Sequence, residues 1–248
     1  MIERNGIIGW SRSQMTRKHA DKRRAGLHAS NKSNRENRKD YWNRVYENQN
    51  EWDAEAHNWL EAYGDILVPP AYILDMGCGT GAITEHLKSR GHTVMAADIS
   101  ETALTRLRSR VGNVETRILD FTSGLPWENE TFDHVVADLC LHYFDLDTTK
   151  RLIEDILRIL KSGGFLFARV NSTRDIIHGS GRGTLVEPNY YIHEGHYKRF
   201  FDRDSIKEVF SPFTLQRAVE GSIKTNIGIK YLYEIVGLKT GEIHERRK

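Results

Sequence analysis

Hydrophobic and polar positions follow two periods along most of this chain. From Asp40, the stretch DYWNRVYENQNEWDAEAHNWLEAYGDIL sets Tyr41, Trp42, Val45 and Tyr46, then Trp52, Ala56, Trp59, Leu60 and Tyr63, at spacings dominated by three and four. That spacing predicts two amphipathic helices, over 40–48 and 52–66. Pro69-Pro70 closes the second, because proline lacks a donor and disfavours helix before it. Seven short apolar runs follow, at 71–75, 93–98, 114–119, 134–137, 165–170, 213–219 and 230–238. Helical patterns separate them at 81–90, 101–111, 146–161 and 203–210. This alternation predicts an α/β fold: a doubly wound, mostly parallel seven-stranded sheet with helices on both faces.

Charge divides the chain in two. Residues 1–39 hold eleven Lys/Arg against three Asp/Glu, a net +8, within an overall +2 over 248 residues. The remaining 25 Lys/Arg and 31 Asp/Glu leave 40–248 at −6. The basic segment has few bulky apolar residues and no sustained period, so burial cannot offset its ordering entropy. It reads as a mobile extension, as an arm for RNA or another polyanion, or as a lid over a nearby site. Residues 40–248 read as one domain. Two cysteines exclude a disulfide framework and show no zinc-ligand spacing. No apolar run reaches the roughly 18 residues of a membrane span, and no signal-like apolar core opens the chain. The expectation is a cytoplasmic protein without a membrane partner.

The densest chemistry lies in YILDMGCGTGAITEHL, residues 72–87. A predicted strand ends at Asp75, a loop carries Gly77, Cys78, Gly79 and Gly81, and a helix starts at once. Glycines let a ligand approach the backbone, and the helix start offers unpaired N–H groups. Gly77, Gly79 and Ala82 also satisfy the dinucleotide pattern G-x-G-x-x-G/A. Against a dinucleotide stands Asp75, whose carboxylate repels a pyrophosphate and attracts an ammonium. The glycines are also spaced by two throughout, and a further acid, Asp120, follows in RILDF.

These residues resemble class I S-adenosylmethionine-dependent methyltransferases. The likeness runs over roughly 71–171: DMGCGTG at 75–81, Asp98 closing AADIS, Asp120-Phe121, VVADLCLHYF at 135–144 and LKSGGFLFARV at 160–170. It implies a Rossmann-like sheet whose last strand is antiparallel. It also implies S-adenosyl-L-methionine as cofactor, with the glycine loop facing the methionine part. Asp98 would hold the ribose hydroxyls, Ile99 would lie on the adenine face, and Asp120 with the Phe121 backbone would read the adenine edge. HYKRFFDRDSIKEVF, 196–210, is similar to the small-molecule, tellurite-resistance type of bacterial methyltransferase.

Methyl transfer from a sulfonium is an in-line displacement that needs alignment, dryness and sometimes a base. The acceptor belongs beyond the carboxyl ends of the fourth and fifth strands. This makes Asp138, His142, Tyr143 and Arg169 the catalytic candidates. Asp138 could also line the cofactor, or simply cap its strand. His142 and Tyr143 could pack in the core. Arg169, a charge inside FLFARVN, reads either as a clamp for an anionic substrate group or as the partner of an acid on the preceding helix. Residues 172–201 form a long insertion, expected to act as a substrate-side lid with Asn171, Tyr190, Tyr191, His193 and Tyr197. The spacing of His193 and His196 is too poor in partner ligands to predict a metal.

The sequence therefore favours a methyltransferase acting on a small molecule. The alternatives are a nucleic-acid methyltransferase using residues 1–39, and a cofactor-binding protein without turnover.

Overall fold

The computed structural model describes residues 38–48, 54–193 and 195–241. Nearly all of the basic segment, and the closing residues 242–248, lie outside them.

The first helix, α1, spans residues 38–48. The second predicted helix is instead a 3₁₀ segment, Ala54–Tyr63, whose described side chains Trp59, Leu60 and Tyr63 still pack inward. The sheet strands follow as β1 Tyr72–Met76, β2 Thr93–Asp98, β3 Glu115–Ile118, β4 Phe132–Asp138, β5 Leu160–Asn171, β9 Thr214–Thr225 and β10 Gly228–Leu238. Between them lie α2 Ala82–Ser89, α3 Glu101–Val111, α4 Leu146–Ile159 and α5 Arg203–Val209. Among the described residues the main sheet has seven strands in the order β3-β2-β1-β4-β5-β10-β9. β1 to β5 are mutually parallel, and β10 runs antiparallel to both of its neighbours.

Strand alternation sorts the core into two faces. Leu74, Met76, Val135, Ala137, Leu166 and Ala168 pack beneath α4 and α5. Ile73, Val136, Phe167 and Val236 pack on the opposite side with Leu60, Ile83 and Leu87. Both faces are covered, which is why the central strands read as continuous apolar runs. Helix starts are fixed by local side chains: Ser100 accepts from Ala103 N, Asp145 from Thr148 N, and Asp202 forms a reciprocal capping box with Ser205.

The insertion predicted as a loop contains a three-stranded antiparallel sheet, β6 Thr184–Glu187, β7 Tyr190–His193 and β8 His196–Arg199. Its two ends are pinned side by side. Phe201 N donates to Asn171 O at 2.8 Å, and Thr173 N donates to Phe201 O at 2.9 Å. The buried Arg199 guanidinium ties it to the body, donating to Glu187, to Pro188 O at 3.2 Å and to Phe144 O at 3.4 Å. Glu187 in turn accepts from Leu146 N at the start of α4, at 3.1 Å.

Candidate functional site

The carboxyl ends of β1, β2 and β4 converge on a cleft lined by Gly77, Asp98, Ile99, Asp120, Phe121, Leu139, Cys140 and Tyr143. The loop after β1 can only be glycine at its tightest point. Gly77 has φ +72°, and a Cβ there would lie 2.5 Å from Cys140 Cβ. Gly79 has φ +53°, and a Cβ there would meet the Tyr46 hydroxyl at 2.8 Å. Opposite, Leu139 turns the chain sharply out of β4 with φ +52°, a conformation that a bulky residue adopts only where its surroundings impose it.

Three acids surround this loop. Asp98 is buried and accepts from Gly79 N at 3.0 Å and Ser100 N at 2.8 Å, so it holds the loop's shape. Burial raises its pKa, and those backbone donors oppose the rise. Asp75 is buried too and accepts from the Thr84 hydroxyl at 2.6 Å. Burial pushes its pKa up to about 7, with Thr84 opposing and the charges of Asp138 and Asp98 adding to the rise. A buried carboxylate under this pressure suits a site that receives a cation. Asp120 accepts from Thr122 N at 3.0 Å and from the Thr122 hydroxyl at 2.8 Å. Burial holds Cys78 and Cys140 protonated, which removes both as thiolate nucleophiles.

Helix α1 roofs the cleft, a role the sequence did not reveal. Arg38 forms an ion pair with Asp120 at 3.1 Å and donates to Thr122 Oγ1 at 3.0 Å. Asn43 Oδ1 accepts from the Ser100 hydroxyl at 2.8 Å. Trp42 meets Tyr143 edge-on with ring centres 4.8 Å apart, and Tyr41 stacks on His196 of the insertion at 3.5 Å. Helix and insertion thus meet, and both line a second, half-open space together with Tyr190 and Tyr197.

Other sequence-predicted residues fall elsewhere. Arg169 is not the open anion clamp expected of it, nor does it pair with an acid of the preceding helix. Its Nε donates to Asp138 Oδ1 at 2.6 Å and its Nη2 to Asp138 Oδ2 at 2.8 Å. The two stand directly opposite in the β4–β5 register. Arg169 also lies over the Trp59 ring at 5.0 Å. His142 is buried with its Nδ1 unpartnered, and burial together with the charges of Lys230 and Lys198 keeps it neutral. Tyr143 is pushed far above its ordinary pKa by burial and stays protonated. Tyr191 packs on Phe200, and His193 is exposed at the end of β7, and neither lines that second space.

Residues 73–164 match the family described as a methyltransferase domain. The chain is 35% identical over 95 residues to the 18S rRNA (guanine-N(7))-methyltransferase of Schizosaccharomyces pombe, covering 38% of this chain and 34% of that protein. It therefore spans about a third of that relative's length. The 1,6-didemethyltoxoflavin-N1-methyltransferase of Burkholderia thailandensis, solved with 1,6-didemethyltoxoflavin and S-adenosylhomocysteine, superposes with a TM-score of 0.60 at 23% identity, covering 89% of this chain and 90% of that one. TehB from Haemophilus influenzae superposes with a TM-score of 0.58 at 16% identity, covering 82% of this chain and 67% of that one. Residues 73–164 thus carry a methyltransferase domain, and the strand order and structural neighbours give it the class I fold. The family to which that domain belongs uses S-adenosylmethionine. The donor set here fits that group: an acid closing β2 beside the cleft, a buried acid suited to a cation, and a loop without side chains at its point of closest approach.

Proposed function

We propose that this chain transfers a methyl group from S-adenosylmethionine to a small-molecule acceptor. The observation that carries this reading is the double roof: α1 and the insertion meet through Tyr41 and His196 and together line the space beside the cleft. A half-open site lined by aromatic rings together with Arg38, Asp145, Arg151 and Glu187 suits a small polar acceptor. The structural match to the 1,6-didemethyltoxoflavin-N1-methyltransferase, which covers 89% of this chain, supports the reading.

When bound, the cofactor supplies an electrophilic methyl group on a sulfonium. Asp98 would accept from the ribose hydroxyls while holding Gly79 and Ser100. Ile99 would face the adenine, with Asp120 and the Phe121 backbone at its edge. Asp75 would balance the ammonium of the methionine part, and Gly77, Cys78, Gly79 and Gly81 would shape the loop around it. His142, neutral at physiological pH, is the candidate to accept a proton from the acceptor. Asp138 would act as the partner that fixes Arg169 rather than as a free base.

The Asp75 role has a pH signature. Below about 7 the carboxyl is protonated, and a bound ammonium favours the ionised form. Affinity for S-adenosylhomocysteine, which carries the same ammonium, should rise between pH 6 and 8 and then level. Binding near pH 6.5 should release a proton, read by calorimetry in two buffers of different ionisation enthalpy. Asp75→Asn should lose both effects. Its folding stability at pH 8 should rise by about 2–4 kcal/mol, because each unit of carboxyl pKa elevation is worth about 1.4 kcal/mol. The sign follows from the raised folded-state pKa: the wild-type carboxyl favours folding at low pH, and that contribution fades as pH climbs from about 4 towards about 7.

Arg38 occupies the carboxylate assigned to the adenine amine. Arg38→Ala should bind S-adenosylhomocysteine at least as tightly as the native chain and associate faster in stopped flow. A tenfold loss of affinity, about 1.4 kcal/mol, would instead make Arg38 a cofactor contact.

The likeness to an rRNA methyltransferase, together with the net +8 of residues 1–39, favours RNA as a second reading. Incubation with methyl-labelled cofactor, a metabolite pool and total RNA separates the two. Label in the small-molecule fraction supports the proposal, and label confined to RNA overturns it.

A further inference from the structure

Rings dominate the lining of the second space. Trp42, Tyr143, Phe144, Tyr190 and Tyr197 face it, and Val186 is the one aliphatic side chain there among the described residues. The rings are braced by their neighbours. Tyr190 is 6% exposed, stacks on Tyr197 with ring centres 5.5 Å apart, and has the Arg199 guanidinium 4.8 Å from its own ring centre. Its hydroxyl donates to Tyr143 O at 3.5 Å, which ties the insertion to the segment after β4. A flat aromatic ligand meets such walls edge-on or offset-stacked, and gains from both geometries beyond the area it buries.

Four charged side chains line the same space: Arg38, Asp145, Arg151 and Glu187. Three of them are answered by neighbours. Arg38 pairs with Asp120 at 3.1 Å. Asp145 spends its two oxygens on Thr148, accepting from its backbone N at 2.8 Å and its hydroxyl at 2.9 Å. Glu187 accepts from the Arg199 guanidinium and from Leu146 N.

Arg151 is the exception. Its Nη2 donates to Thr148 Oγ1 at 3.0 Å and its Nε to Asp147 O at 3.4 Å. Both acceptors are neutral, and Arg151 forms no ion pair with a carboxylate among the described residues. Asp145 reaches it only through the Thr148 hydroxyl, which accepts from Arg151 and donates to Asp145. That hydroxyl holds the guanidinium at the edge of the space and leaves Nη1 uncommitted. A fixed guanidinium with donors to spare suits a carboxylate, through charge-assisted hydrogen bonds.

The two features have an order along the site. Trp42, Tyr143 and Phe144 line both the cofactor cleft and the second space, whereas Arg151, Tyr190 and Tyr197 line the second space alone.

We infer that the acceptor is a flat aromatic acid. Its ring lies among Trp42, Tyr143, Tyr190 and Tyr197, and its carboxylate is taken by Arg151 at the end away from the cofactor cleft. This rests on the small-molecule methyl-transfer reading above and names its substrate class. The methylated atom then belongs to the end of the acceptor beside Trp42 and Tyr143, and the carboxylate is an anchor that the product retains.

Saturation-transfer NMR titration of the full-length chain with three probes tests this. Naphthoate has the flat ring and the acid, naphthamide the ring without the charge, and decalincarboxylate the acid on a saturated ring. Naphthoate should bind saturably in the millimolar range or tighter, and about tenfold or more tighter than either control, the value of one charge-assisted contact or one aromatic wall. Absence of naphthoate binding overturns the proposal, as does binding of naphthamide or decalincarboxylate with equal affinity.

Arg151→Gln places the acid. It should weaken naphthoate about tenfold, to the level of naphthamide, while naphthamide itself changes by less than about twofold. Arg151→Lys, which keeps the charge and loses the fork, should fall between. Retained binding of S-adenosylhomocysteine shows that each variant is folded. Unchanged naphthoate affinity in Arg151→Gln overturns the assignment.

The two readings fail separately. If naphthoate binds through Arg151 but the chain neither binds S-adenosylhomocysteine nor labels small molecules, methyl transfer falls and the aromatic-acid site stands. If small molecules are labelled but the products are aliphatic or carry no acid, the substrate class falls and methyl transfer stands.

Discussion

Replacing Arg169 by alanine should destabilise the fold by about 3–5 kcal/mol, the range expected when one partner of a buried ion pair is removed. The guanidinium is 2% exposed, bonded to both oxygens of Asp138 and packed over Trp59. Its loss strands a carboxylate that is only 10% exposed, beside two other acids of the site. Urea denaturation should show the drop in midpoint with little change in slope. Asp138→Asn/Arg169→Met should recover much of it, because removing both charges together avoids the stranded one. A single variant as stable as the native chain would contradict the structural role and return Arg169 to the list of free substrate groups.

That pair shows where the sequence was legible and where it was not. Asp138 and Arg169 were each recognisable as chemistry-bearing residues at the ends of apolar runs. Their cancellation depends on the register between β4 and β5, and a one-residue slip, which the pattern alone does not forbid, would separate them. The glycine loop was legible because Gly77 and Gly79 answer to local backbone geometry and close approach, which leave a mark in residue type. The order of runs and helices likewise gave seven strands, since burial on both faces leaves uninterrupted apolar segments.

Other features were not local. The ten residues Ala54–Tyr63 keep helical spacing but wind as 3₁₀, because three-residue and four-residue repeats look alike over so short a stretch. The insertion's three strands are four residues each, below the length at which alternation stands out from Tyr- and Gly-rich sequence. Helix α1 was found, but not its position over the cleft, which is set by Asn43, Arg38 and Tyr41 reaching residues at 100, 120 and 196.

Asp98→Ala should reduce affinity for S-adenosylhomocysteine by at least about 10- to 100-fold, the value of charge-assisted bonds to the ribose hydroxyls. The full loss should be larger, because the same carboxylate accepts from Gly79 N and Ser100 N. Without it two buried N–H groups lose their acceptor and the loop after β1 is no longer held. Asp98→Asn should fall between, since an amide oxygen still accepts but without charge. Thermal unfolding without ligand separates the two contributions: Asp98→Ala should melt lower than the native chain, and Asp98→Asn closer to it. Unchanged affinity in the alanine variant would sink the placement of the cofactor against β2.

The most direct test of the cofactor site is calorimetric titration of the full-length chain with S-adenosylhomocysteine and, separately, with a nicotinamide dinucleotide. The glycine loop alone is compatible with either, whereas Asp75 behind it favours an ammonium and opposes a pyrophosphate. The expected result is saturable one-to-one binding of S-adenosylhomocysteine that strengthens from pH 6 to 8, with no heat from the dinucleotide. Absence of S-adenosylhomocysteine binding, or comparable binding of the dinucleotide, would contradict it.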